Sequence, residues 1–201
     1  MVQKIARKTA EKMSERRIIE AKTIHIYTYG LELLFSSLAG VVALIIISTA
    51  NGKAFLWIPY LAGFIPLRLS GGGYHASTHF RCIFIFSLLY SVVLLIEKTY
   101  TIPMISRMIS CVVNLFIIIL FSPVEAPNKP VKECQRRANR QNSLFLGGIN
   151  LFVSIVLVFL FASQKQWNNM YFAGSSMAGL SMLLAVIVDK QERRNHYENN
   201  G

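Results

Sequence analysis

The sequence predicts an all-α, polytopic integral membrane protein with about six transmembrane helices and an N-terminal amphipathic interfacial helix. Three observations point there. Of the 201 residues, 53% are hydrophobic and 15% charged, whereas soluble domains carry about 25% charged residues. Apolar segments follow one another along the chain, several near the ~20 residues that cross a hydrocarbon core. The basic residues collect on alternate connections between those segments, as expected when Lys and Arg resist translocation.

Residues 1–26 form the first element. Val2, Ile5, Ala6, Ala10 and Met13 recur at helical spacing, and Lys4, Arg7, Lys8 and Lys12 lie mostly elsewhere on the wheel. That pattern predicts a basic helix lying on the cytoplasmic leaflet. It has no compact apolar segment followed by a small-residue cleavage site, so it does not read as a signal peptide. The membrane domain is predicted over 27–190, and 191–201 reads as a cytoplasmic tail.

Within 27–190, Leu31–Ala50 is long enough for a full span. Phe55–Leu67 is shorter, and Pro59, Gly63 and Pro66 interrupt it, which leaves a kinked span and a re-entrant hairpin both open. Phe80–Ile96, Pro103–Phe121, Leu144–Ala162 and Tyr171–Val188 follow. SPVEAPNKP at 122–130 carries three prolines and cannot continue a helix. It opens a basic loop that runs to Asn142.

If all six segments cross and the N-terminus is cytoplasmic, only Lys53, Lys98 and Lys165 face outside, and Arg107 stays within its span. The other seventeen of the 21 Lys and Arg residues face inside. This split predicts a multi-pass protein of the cell membrane with both termini cytoplasmic. It also accounts for the formal charge of +11 as contact with anionic inner-leaflet lipid. Nucleic acid is not expected as a partner, because no basic patch is interleaved with aromatic side chains as a stacking platform.

The least membrane-like stretch, RLSGGGYHASTHFRC at 68–82, falls on the predicted cytoplasmic side. With its continuation to 87 it is the candidate catalytic segment. Gly71, Gly72 and Gly73 permit backbone angles closed to other residues and expose amide N–H groups. Ser77 or Thr78 suits the N-cap of the next helix. Cys82 then lies about one turn inside that helix. There the helix's positive end, Arg81 and a protonated histidine would all favour a thiolate nucleophile.

His75 is the candidate general base. In one continuous helix it would stand about 10 Å from Cys82 along the axis, too far for a proton transfer over roughly 3 Å. The pair works only if the glycine turn folds His75 back over the helix. No Asp or Glu lies nearby, so the reading is a dyad. Arg68 reads either as a positive-inside anchor or, with amides of the glycine turn at Gly72 and Gly73, as a clamp for a carboxylate or oxyanion.

A metal site using His75, His79 and Cys82 is the rival, since i, i+4, i+7 spacing places all three on one helix face. A fourth ligand is not evident, so no metal and no other cofactor is expected. Cys111 and Cys134 have no histidine close in sequence and read as packed thiols. The three cysteines have no C-x2-C spacing. A small transporter or peptide exporter, with the glycines as a hinge, is the alternative from another class. It is disfavoured by the scarcity of ionisable groups in mid-span.

Arg68, GGYHA at 72–76 and Cys82 resemble the motif of the accessory gene regulator B (AgrB) family of Gram-positive quorum sensing. That motif is an arginine, then a glycine, then a histidine followed by alanine, then a cysteine seven residues after the histidine. APNKPVK at 126–132 resembles the family's basic loop more loosely. The resemblance implies a membrane cysteine endopeptidase whose substrate is an AgrD-type pro-peptide. It implies Cys82 as nucleophile and His75 as base, with Arg68, Gly72 and Gly73 in support and Lys129 and Lys132 as weaker substrate contacts. It further implies tail removal through an acyl-thioester, then ring closure to a thiolactone or lactone peptide, and it leaves room for a homodimer.

Overall fold

The protein's structure, a computed structural model, describes residues 2–72, 79–100, 102–124, 133–160 and 163–199. Among these, seven α-helices follow in order: α1 Val2–Glu15, α2 Ile24–Ala50, α3 Trp57–Gly71, α4 His79–Thr99, α5 Met104–Phe121, α6 Glu133–Leu160 and α7 Lys165–Asn199. No strand occurs among the described residues, in line with the predicted fold class. Two compact units divide the chain: Met1–Gly52 with Ala76–Ser91, and Lys53–His75 with Val92–Gly201.

In the first unit α1 packs against α2, burying Ala6 and Ala10 fully. Arg7 and Glu11 pair on its solvent side at 2.9 Å. The helix ends in a Schellman motif. Arg17 takes the left-handed conformation at φ 56°, Ile18 N–H donates to the Met13 carbonyl, and Arg17 N–H donates to that of Ser14. The chain then re-enters a helix through a 3-10 turn at Ala21–Thr23. α2 buries Ser36, Gly40, Leu44 and Ser48, an unbroken i+4 stripe. Ser48 hydrogen-bonds Tyr90 of α4.

Among the described residues, five helical segments are long and apolar enough to cross a membrane: 21–50, 81–99, 104–121, 136–160 and 165–191. α3 is not among them. Its 15 residues rise about 22 Å, short of a ~30 Å hydrocarbon core. Nor is it a hairpin. Within Phe55–Leu67, where a kinked span and a re-entrant hairpin were both open, one helix starts at Trp57 and continues past Pro66 to Gly71. Pro59 sits in the first turn, where a missing N–H costs nothing, and only Pro66 removes an internal bond.

The neighbours of α3 explain why it persists. In the second unit it lies against α7 with the two backbones touching. A Cβ on Gly63 would strike the Tyr171 carbonyl and come within 2.9 Å of Ser175 N, and one on Gly174 would strike the Tyr60 carbonyl. Small residues at both positions admit this approach, as at helix interfaces in membranes generally. The pairs 60 with 174, 63 with 171 and 175, and 71 with 182 rise together, so α3 and α7 run parallel.

α5 also runs parallel to α7: Ser110 meets Ser176 at 2.5 Å, and Asn114 reaches Ser175 and Gly179. α6 runs the other way, with Asn150 beside Ser175 and Tyr171 and Leu157 beside Asn168. The C-terminal ends of α3 and α5 therefore share one end of this unit with the start of α6. An apolar cluster of Leu67, Ile118, Ala178 and Met182 packs just inside it. At the opposite end Lys53 Nζ donates to Gln166 Oε1 at 2.9 Å.

Candidate active site

Cys82 is the fourth residue of α4, and its thiol is free and exposed. The position matches the turn expected from sequence. Arg81 beside it is also exposed, and the first turn of α4 holds no acidic residue. The N-terminal end of a helix and a neighbouring guanidinium together favour negative charge on a group placed there. Such a thiol is accessible to a reagent or a substrate carbonyl. Cys111, by contrast, is buried within an apolar cluster with Val158 and Phe172, so its packed reading holds.

Arg68 and Gly72 stand together at the C-terminal end of α3, in the other unit. Arg68 is half-buried, and its Nη1 is fully enclosed. Gly72 has φ 76° and ψ −153°, a region essentially confined to glycine. A Cβ there would also collide with the Val124 carbonyl. The reason for this tight fit is a backbone tie: Val124 N–H donates to the Gly71 carbonyl at 2.9 Å, and Gly72 bridges Val124. Gly72 thus stops α3 and pins its end to the chain leaving α5.

A cavity of about 80 Å³ opens beside this tie, lined in part by Ser70, Gly72, Val124, Arg136 and Asn139. Arg136 and Asn139 come from the start of α6 and were not singled out by sequence reading. Their signal, a basic start to the fifth segment, was visible only as loop charge. Gly73, His75, Lys129 and Lys132 lie outside the described residues, as do the capping candidates Ser77 and Thr78. The same holds for the geometry of the metal alternative through His75.

Sequence reading also passed over a polar chain inside the second unit. Asn114 Nδ2 donates to both the carbonyl and Oγ of Ser175 at 2.6 Å. Ser175 Oγ donates to Asn150 Oδ1 at 3.0 Å, and Asn150 Nδ2 donates to the Tyr171 hydroxyl at 3.1 Å. These groups join the middles of α5, α6 and α7. Amides within apolar runs were the available signal, since polar side chains there bond across helices where lipid offers no partner.

The described helices and the accessible thiol define a multi-pass helical membrane protein with a candidate nucleophile at the start of a span. Residues 3–187 match the family model described as Accessory gene regulator B, and the chain belongs to that family. It is 24% identical over 170 residues to "Putative AgrB-like protein 2" of Clostridium perfringens (strain 13 / Type A), covering 80% of this chain and 79% of that one. It is 23% identical over 169 residues to "Putative AgrB-like protein" of C. perfringens (strain SM101 / Type A), with 80% and 79% covered. No solved structure matches the chain. Family membership supports a role in processing the peptide signal of accessory gene regulator quorum sensing.

Proposed function

We propose that this protein is a membrane cysteine endopeptidase and peptide cyclase acting on an AgrD-type pro-peptide at the cytoplasmic surface. The observation that carries the reading is the exposed, free Cys82 thiol on the first turn of α4, within a chain that matches the family over 3–187. His75 takes the Cys82 proton. The thiolate attacks the carbonyl at the tail junction, and the amide C–N bond breaks as the leaving nitrogen receives that proton. The upstream peptide is now a thioester on Cys82. A thiol or hydroxyl within the same peptide attacks the thioester carbonyl, closes the ring and expels the Cys82 thiolate.

A thioester can be handed on only if water does not reach it first. A nucleophile at the start of a membrane span limits that access. Arg68 and the amides around Gly72 and Gly73 are assigned to stabilising the oxyanion or holding a substrate carboxylate. Lys129 and Lys132 are assigned to attracting an acidic substrate segment.

The test uses the full chain in proteoliposomes with a cognate pro-peptide. Cys82→Ser should abolish tail release, a loss of at least about 10³-fold, with membrane insertion intact. Tail release by the serine variant at the native rate would overturn the mechanism. Loss of activity on chelation with no effect of thiol alkylation would instead favour the metal reading.

A further inference from the structure

Three arginines at the start of α6 have no part in the chemistry proposed above. Arg136 and Arg140 are one turn apart on one helix face, and Arg137 adjoins them. All three line a cavity of about 290 Å³ where α5 ends, together with Leu120, Phe121 and Ser122. Among the described residues, no acidic side chain lines it. Ser122 is 5% exposed, and its Oγ has no hydrogen-bond partner among the described residues. A buried hydroxyl without a partner is costly unless something accepts or donates to it. Three cations and a hydroxyl donor around one hollow define an anion site with phosphate-like demands.

The surroundings narrow the occupant. The cavity lies where the apolar stretch 104–121 stops and 136–160 begins, the level of a membrane–water interface. Ile105, Ile109, Val112, Phe116 and Leu120 recur at helical spacing along α5, each more than half exposed, and this stripe ends at the cavity. A ligand with an anionic head and long apolar chains satisfies both parts at once. An acidic peptide would use the arginines and leave the stripe unmatched.

We infer that Arg136, Arg137, Arg140 and Ser122 form a binding site for the phosphodiester headgroup of an anionic phospholipid whose acyl chains lie along the exposed face of α5. Basic pockets between membrane helices take such headgroups, each cation near the surface adding about 1 kcal/mol. The inference does not depend on the thiol chemistry.

The experiment is native mass spectrometry of the full chain released from nanodiscs. The nanodiscs contain equal parts dioleoylphosphatidylglycerol and dioleoylphosphatidylcholine. The native protein should retain phosphatidylglycerol preferentially. Arg137→Gln/Arg140→Gln should weaken that retention roughly tenfold or more, as expected for two lost cations. Ser122→Ala, a mild change, should weaken it by a smaller factor. Lys98→Gln/Lys165→Gln, both exposed and on the side read as outer, should leave it unchanged. Equal retention of the two lipids by the native protein would overturn the site. So would retention that is indifferent to the arginines. Displacement of the lipid by inorganic phosphate or a soluble acidic peptide at micromolar concentration would also overturn the lipid assignment.

Discussion

Gly72 shows how one residue can be required by backbone geometry. Its positive φ and its contact with the Val124 carbonyl leave no room for a Cβ. Gly72→Ala should therefore destabilise the junction by about 1–3 kcal/mol. Thermal unfolding in detergent should show a lower Tm, and an unchanged Tm would refute the reading. The glycines were legible in the sequence as a bend. The partner that makes Gly72 indispensable was not, because Val124 is 52 residues away and one sequence gives no contact between them. The place of Cys82, exposed near the start of α4, was legible, since a helix start and a neighbouring cation are local features. For His75, the proposal predicts that His75→Ala lowers tail release about 10²–10⁴-fold, the usual worth of a positioned base, without altering insertion. Release at the native rate would remove it from the mechanism.

At the scale of elements, α3 was the hardest to read. Its prolines argued for a break, and its length argued against a full span. What holds it as a helix is α7, through Gly63 and Gly174, and that neighbour lies outside any local window. Replacing Gly174 with Leu should separate the two helices and cost about 1–3 kcal/mol, seen as a lower Tm. A variant of native stability would mean that the backbones need not touch. The Asn114–Ser175–Asn150–Tyr171 chain belongs to the same scale. Asn114 and Asn150 were visible as amides in greasy runs, but their partners depend on which helices adjoin. Asn114→Ala should cost about 1 kcal/mol, the modest value typical of hydrogen bonds between membrane helices.

At the scale of the whole molecule, the apolar runs carried most of the fold. Five of the six segments correspond to long apolar helices, and the sixth is the short α3. The second unit adds a direction to that count. α3, α5 and α7 are parallel and α6 opposes them, the order that alternating crossings produce. The orientation proposed from charge then has a direct consequence. A membrane-impermeant amine reagent added to intact cells should label Lys53, Lys98 and Lys165 and spare Lys8 and Lys190. Labelling of Lys190 from outside would reverse the topology.

All of the proposed chemistry meets at one covalent bond. The most direct measurement is mass spectrometry of the protein after brief reaction with its pro-peptide, quenched in acid. The account predicts an adduct of the tail-less peptide on Cys82, cleaved by hydroxylamine and absent from Cys82→Ala. Efficient tail removal with no adduct at Cys82 at any time, or an adduct mapped to Cys111 or Cys134, would contradict it.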